Sequence, residues 1–244
     1  MVHIVVVQKL NHARKVCQKV LPRYSILAMD IEGVNWGEDY GSISLIQIAC
    51  SNTKVYCFDI LALGSQVLSK EYLGSILESD KILKLCYDCR TDAAVLQSKH
   101  SVFLKQVYDL QVLYTFVFQS KADRFLKGLH HALQKPGVLH PNQDSELLIQ
   151  NKKEIKACMS SVGSQIFLQR PLTEQVLMYC ASDVIHLFRM YQLWSVLVPF
   201  PTVLQASLYR LNKFCRQTAK LPSREMAVVD FRKMPYTLTA RACS

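Results

Sequence analysis

The sequence predicts an α/β fold in which a mixed β-sheet is flanked by helices and the C-terminal half is helical. Three observations support this prediction. Three β-rich runs follow one another closely between residues 25 and 61, strand-like and helix-like runs then alternate to residue 118, and helical periodicity dominates beyond it. Of the 244 residues, 50% are hydrophobic and 20% are charged, a composition typical of a packed globular protein.

The N-terminal part predicts a strand, a helix and then an antiparallel meander. "HIVVV" (3–7) is strand-like and "LNHARKVCQKVL" (10–21) is an amphipathic helical run. Three runs rich in β-branched residues follow: "SILAMDIE" (25–32), "SISLIQIAC" (42–50) and "KVYCFDIL" (54–61). The links between them are short and rich in turn residues, which favours antiparallel neighbours.

The next segment alternates between helical and extended patterns. "SKEYLGSILESD" (69–80) reads as a helix, "KILKLCY" (81–87) as a strand and "CRTDAAVLQSK" (89–99) as a helix. "QVYDLQVLYTFVF" (106–118) begins as a strand and continues as a helix. Strands that alternate with helices indicate parallel additions to the sheet.

The C-terminal half is predicted to be helical apart from a loop at 134–144. A long helix is predicted within 170–197, with Pro171 near its first turn. After "PFP" the pattern gives one basic helix and a weakly patterned tail. We therefore predict one main domain over residues 1–195 and a helical, basic extension over 196–244.

Charge and cysteine usage restrict the class of protein. The net charge of +10 suits a polyanionic partner such as nucleic acid, and it suits equally a simple solubility role. Apolar runs stay shorter than the roughly 18 residues that a membrane span needs, and no secretory leader is recognisable. The nine cysteines are then expected to be reduced thiols in an intracellular protein, cytoplasmic rather than nuclear, with no membrane association.

Carboxylates recur at positions where several elements should meet. Asp30 and Glu32 are two apart on a predicted strand, so both side chains project from one face. Tyr179 and Asp183 are four apart on the long helix and share one of its faces. Asp92 falls in the first turn of a helix, where the helix dipole favours an ionised carboxylate.

Spacing alone does not select which acids act together, because Asp88 and Asp109 also lie near strand ends. Taken alone, the Asp30–Glu32 pair is better explained as the exposed acidic face of an edge strand, because such pairs are common.

Three motifs in order carry a family resemblance. "AMDIEG" (28–33), "KLCYDCRTDAAVL" (84–96) and "YCASDVIHLFRMY" (179–191) resemble the three motifs of the DEDD family of 3'-5' exonucleases, which includes ribonuclease D. The resemblance covers about residues 3–195 and implies a ribonuclease H-like fold. Within the family, the chain looks most like the branch of exonuclease 3'-5' domain-containing protein 1 and Egalitarian, which is associated with RNA and the piRNA pathway.

The resemblance assigns roles to five residues. It implies that Asp30, Glu32, Asp92 and Asp183 bind two divalent ions, Mg²⁺ or Mn²⁺, which all-oxygen ligand sets also favour. The tyrosine four positions before the last Asp, Tyr179, places the chain in the tyrosine subclass (DEDDy) and would assist the attacking water.

The predicted function is a metal-dependent 3'→5' exonuclease of single-stranded nucleic acid that releases nucleoside 5'-monophosphates, with RNA preferred over DNA. The alternative is a catalytically silent RNA-binding adaptor in a small-RNA complex, because some family members have lost catalytic residues. Protein partners in an RNA-processing complex are compatible with either. A DNA repair exonuclease is a third, weaker hypothesis, since no residue is seen to read a 2'-hydroxyl.

Overall fold

The computed structural model describes residues 2–35, 41–120, 123, 125–139 and 145–216, with the backbone alone at 145–148 and 162. Three predicted segments lie wholly or partly outside these residues. They are the first turn of the meander, the end of the loop at 134–144 and the tail from residue 217.

Six strands of the described residues form one sheet. They are β1 (His3–Val7), β2 (Ile26–Val34), β3 (Ser42–Ser51), β4 (Lys54–Asp59), β5 (Leu83–Cys86) and β6 (Val107–Asp109). Their order across the sheet is β1-β4-β3-β2-β5-β6. Strands β2, β3 and β4 are antiparallel neighbours, whereas β5 pairs with β2, β6 with β5 and β1 with β4 in parallel. The predicted meander with parallel additions is confirmed.

Helices cover both faces of the sheet. They are α1 (Leu10–Lys15), α2 (Ile60–Leu63), α3 (Leu73–Leu77), α4 (Arg90–His100), α5 (Leu110–Phe118), α6 (Leu129–Leu133), α7 (Ser145–Val162), α8 (Glu174–Trp194) and α9 (Phe200–Cys215). One apolar core joins the sheet to α1, α3 and α4, and a second joins the opposite face to α5 and α8. The predicted α/β class with a helical C-terminal half is confirmed.

Strand β2 lies in the middle of the sheet and separates the two cores. Met29 and Ile31 are buried in the core beneath α1, α3 and α4. Burial of such side chains stabilises the fold by roughly 1.5–3 kcal/mol each. Because side chains alternate along a strand, Asp30 and Glu32 are turned to the other face, towards α8.

Two helical predictions differ from the structure, the first in helix type and the second in length. The predicted helix at 10–21 keeps α-geometry only over α1 and continues as a π-helix at 16–20 and a 3-10 helix at 21–23. The predicted helix at 69–80 is reduced to α3. Pro22 lies in the 3-10 turn that ends the first run, where its missing N–H prevents an α-helix from continuing.

Helix α8 begins at Glu174, so Pro171 precedes the helix and does not lie in its first turn. The side chain of Thr173 accepts a hydrogen bond of 3.3 Å from the backbone N–H of Val176 and caps the helix. Just before it, the guanidinium of Arg170 donates two hydrogen bonds of 2.7 Å to the fully buried Asp59 at the end of β4. This bidentate pair fixes the entry of α8 onto the sheet.

Within the described residues, the helices are too short or too polar for any of them to cross a membrane.

Candidate active site

The first part of the site is the C-terminal half of β2. Asp30 and Glu32 point to the same face, as the period of a strand requires. The register of β2 against β3 shifts between Glu32 and Gly33. Such a bulge bends a strand and re-aims the adjacent side chain, so the irregularity falls where the acids must converge.

The second part is the middle of α8, which packs across β2 and β3. Tyr179 and Asp183 lie one helical turn apart and are both buried. The ring of Phe167 packs against that of Tyr179 with centroids 5.9 Å apart, which helps to fix the phenol. The helix thus presents a hydroxyl and a carboxylate together to the acidic end of β2.

The carboxylates of Asp30, Glu32 and Asp183 meet in one cluster, with one oxygen from each lying within 4.8 Å of the others. Asp92 lies outside this cluster, in the buried first turn of α4. It is nevertheless near enough for its charge to act on Asp30 and Glu32. Three of the four predicted metal ligands are therefore brought together, and the fourth lies beside them.

The carboxylates of the site are strongly destabilised as anions. Burial, followed by the charges of the neighbouring acids, raises the pKa of Asp30 and of Glu32 well above the usual range. Burial also raises the pKa of Asp92 to about 8. Such a site binds protons or cations readily, because either removes the repulsion between its carboxylates.

Cross-strand pairing supplies a partner for one acid. Gln47 lies opposite Asp30 in the register of β2 and β3, and its side-chain Nε2 donates a 2.9 Å hydrogen bond to Asp30 Oδ2. This contact holds the carboxylate in place while leaving its other oxygen for the cluster. Sequence analysis did not single out Gln47, because its role depends on the strand register.

Helix α7 contributes a lysine that the sequence analysis missed. The Lys152 ammonium group forms an ion pair with Asp183 Oδ1, and the Lys152 side chain is only 5% exposed. The same Nζ lies 5.1 Å from the ring centroid of Tyr179. No local pattern marks Lys152, which lies 31 residues before its partner.

The cluster lines one side of a cleft of about 260 Å³. Besides Asp30, Glu32, Tyr179 and Asp183, its lining includes the following residues: Ile31, Tyr87, Asp88, Gln111, Gly128 and Leu129. The cleft therefore combines an acidic floor with aromatic and amide groups, a lining that can hold a nucleotide against the acids.

Asp88 and Asp109, which spacing could not separate from the other candidates, are paired with arginines. Arg90 donates to both oxygens of Asp88 at 2.6 and 2.8 Å. Arg210 of α9 donates to Asp109 Oδ2 at 2.7 Å and to Asp88 Oδ1 at 2.9 Å. The charges of Asp88, which lines the cleft, and of the buried Asp109 are thus compensated by arginines.

The residues of the cluster suit a hard divalent cation. The three members of the cluster, Asp30, Glu32 and Asp183, all offer carboxylate oxygens, the ligands that Mg²⁺ and Mn²⁺ prefer. Among the described residues, the buried Asp183 Oδ2 has no hydrogen-bond partner. An unpaired buried carboxylate oxygen is costly, and coordination to a metal ion would satisfy it.

Comparison with known proteins places these features in a family. The family model described as 3'-5' exonuclease matches residues 4–197. Mouse piRNA biogenesis protein EXD1 is 28% identical over 223 residues, which is 87% of this chain and 38% of that protein. The Egalitarian protein homolog of Caenorhabditis elegans is 25% identical over 104 residues, 43% of this chain and 18% of that protein. The chain spans less than half the length of these relatives.

Solved structures show the same fold. Trypanosoma brucei RNase D in complex with RNA U12 has a TM-score of 0.73 and 24% identity, and the match covers 93% of this chain and 76% of that one. Brucella melitensis NrnC with bound Mg²⁺ has a TM-score of 0.58 and 14% identity, covering 88% of this chain and 90% of that one. The predicted ribonuclease D-like architecture is thereby confirmed.

Proposed function

Because this chain belongs to the 3'-5' exonuclease family, we propose that it is a metal-dependent 3'→5' exonuclease. Its proposed substrate is single-stranded nucleic acid, RNA in preference to DNA, and its products are nucleoside 5'-monophosphates. One observation carries the proposal: carboxylate oxygens of Asp30, Glu32 and Asp183 lie within 4.8 Å of one another at the floor of an open cleft.

Asp30, Glu32 and Asp183, with Asp92 beside them, are the residues that would hold two Mg²⁺ or Mn²⁺ ions. Bound divalent ions supply Lewis-acid chemistry, which lowers the pKa of water and stabilises negative charge on a leaving oxygen. The Mg²⁺ bound in Brucella melitensis NrnC, a protein of the same fold, supports this choice of cation.

Tyr179 would act on the attacking water. Burial, with the charges of Asp183 and Glu32, raises the pKa of its phenol far above the usual value, so the hydroxyl stays protonated at neutral pH. The protonated hydroxyl would orient the attacking water by hydrogen bonding. The attacking oxygen bonds to phosphorus while the bond to the 3'-oxygen breaks, which leaves the phosphate on the released nucleotide.

RNA as the substrate is supported by the complex of Trypanosoma brucei RNase D with RNA U12, although that likeness shows the fold alone. The net charge of +10 also suits a polyanion. An intracellular, cytoplasmic setting belongs to the same proposal.

The test is cleavage of a 5'-labelled single-stranded RNA in Mg²⁺, in Mn²⁺ and in EDTA, with Asp30→Asn alongside. We expect a ladder that shortens from the 3' end, requires metal and is absent in the variant. Asp80→Asn is the matched control, since Asp80 is an exposed acid paired with Lys105 on the surface. Cleavage that persists in Asp30→Asn with unchanged metal dependence would show that the site is wrong.

A second function has a specific observation in its favour. The mouse relative is a piRNA biogenesis protein, so a catalytically silent RNA-binding adaptor in a small-RNA complex is the alternative proposal. RNA that is retarded on a native gel but never shortened in Mg²⁺ or Mn²⁺ would support the adaptor. A metal-dependent ladder would exclude catalytic silence.

A further inference from the structure

We infer that Lys152 is a built-in counter-ion that occupies the acidic cluster in the absence of metal and is expelled when a divalent ion binds. This inference rests on the proposed function, because it assumes that the cluster is a metal site. It concerns a residue to which the family motifs assign no role, on a helix outside all three motifs.

The position of Lys152 is that of a bound cation. Its ammonium group contacts Asp183 Oδ1, one of the acids in the cluster, and its side chain is 5% exposed. The ring of Tyr179 covers it at 5.1 Å, a distance at which aromatic faces attract cations. Lysine side chains are almost never buried to this degree without a paired charge.

The charge of Lys152 opposes the repulsion between the acids. It stabilises the ionised forms of Asp30 and Glu32 against the burial that disfavours them. Lys156, one turn further along α7, acts on Glu32 in the same direction. The two lysines of α7 therefore offset part of the repulsion between the carboxylates in the metal-free protein. A bound metal ion would offset the same repulsion.

Lys152 and a metal ion compete for the same oxygen. A divalent ion bound through Asp183 Oδ1 would lie beside the ammonium group, and like charges at contact distance inside a protein repel strongly. Lys152 also leaves the cluster incompletely satisfied, because Asp183 Oδ2 has no hydrogen-bond partner among the described residues. The ion pair therefore satisfies only one oxygen of Asp183, and a divalent ion could satisfy both.

Competition of this kind lowers the apparent affinity for the metal in proportion to the fraction of time that Lys152 leaves the cluster free. If Lys152 occupies the cluster for nine tenths of the time or more, removing its charge should tighten metal binding about tenfold or more. Metal binding should also release α7 from α8 locally. The metal then controls both the charge of the site and the position of the Lys152 side chain.

The experiment is titration of the protein with Mn²⁺ alone, without nucleic acid, by isothermal calorimetry at fixed ionic strength. Lys152→Met keeps much of the apolar stem and removes the charge, and we expect its dissociation constant for Mn²⁺ to fall about tenfold. Lys152→Arg keeps the charge and should bind as weakly as the wild type. Lys153→Met is the matched control, because Lys153 is exposed on the same helix and should bind like the wild type.

An unchanged or raised dissociation constant in Lys152→Met would overturn the inference while leaving the proposed metal site intact. A wild-type protein that binds no Mn²⁺ would instead overturn both this inference and the proposed function. Hydrogen exchange of the wild type with and without Mg²⁺ keeps the test valid if Lys152→Met does not fold. Faster exchange around Lys152 on adding Mg²⁺ supports expulsion, and unchanged or slower exchange contradicts it.

Discussion

The guanidinium group of Arg210 donates a hydrogen bond of 2.7 Å to Asp109 Oδ2, and it joins helix α9 to the end of strand β6. It also donates to Gln111 Oε1 at 2.6 Å and to Asp88 Oδ1 at 2.9 Å. Since Asp88 and Gln111 line the cleft, the first part of the predicted extension supports the rim of the candidate site.

Replacing Arg210 with Met should destabilise the fold. Asp109 is fully buried and would keep a carboxylate without its guanidinium partner, which typically costs about 3–5 kcal/mol. Urea unfolding measures the loss in the free energy of unfolding. Lys213→Met removes the same charge from an exposed position of α9 and should cost little. Equal effects of the two substitutions would show that the buried network contributes no special stability.

Asp30→Asn should have opposite effects on the metal-free and metal-loaded protein. In EDTA the variant should be more stable than the wild type, because it removes one of the mutually repelling carboxylates. In Mg²⁺ the wild type should gain melting temperature by mass action, whereas the variant should gain much less. Thermal unfolding in both conditions checks this. A variant that gains as much as the wild type would remove Asp30 from the metal site.

Tyr179→Phe should slow cleavage without weakening binding. The substitution removes only the hydroxyl that orients the attacking water, and misplacement of a reacting group by about 1 Å can lower the rate about 10²-fold. Separate measurements of the single-turnover cleavage rate and of the RNA affinity show whether the substitution affects the rate alone. Tyr191→Phe on the same helix is the control, because Tyr191 packs against Tyr108 away from the acids. Loss of affinity equal to the loss of rate would indicate a structural role instead.

His186 should make the fold sensitive to acid. Burial, with a smaller effect of the Lys152 charge, lowers the pKa of His186 to about 4 in the folded protein, against about 6.5 when unfolded. The unfolded state therefore binds the extra proton first, and stability falls as pH decreases from 6.5 to 4. The loss from this group is about 3 kcal/mol.

Urea unfolding of the wild type and of His186→Gln at pH 7 and pH 4.5 isolates this contribution, since the other titrating groups are common to both proteins. We expect the wild type to lose more stability than the variant over this interval. Identical losses of unfolding free energy in the two proteins would show that protonation of His186 does not cause the loss of stability in acid.

Residues whose partners are close in sequence were predictable. The period of a strand places Asp30 and Glu32 on one face, and the period of a helix places Tyr179 one turn before Asp183. Their meeting in space followed from the order of the three motifs, not from either pattern alone. Asp92 was placed correctly at a helix start, but its distance from the others depends on how β5 and α4 pack.

Residues whose role depends on tertiary contacts were missed. Gln47 becomes the partner of Asp30 only through the strand register, and Lys152 reaches Asp183 from a helix with an ordinary amphipathic pattern. Arg210 neutralises Asp109 across 101 residues of chain. A lysine or an arginine in a helical run looks like any solvated charge until its neighbours are known.

The proposed hydrolysis is best tested by identifying the product formed from single-stranded RNA in water labelled with heavy oxygen. We expect nucleoside 5'-monophosphates that carry one labelled oxygen on phosphorus, formed by the wild type only with Mg²⁺ or Mn²⁺ present. Mass spectrometry reads both the product and the label. Products with a 3'-phosphate, a cyclic phosphate or no label would contradict hydrolysis at this site, as would the absence of any mononucleotide.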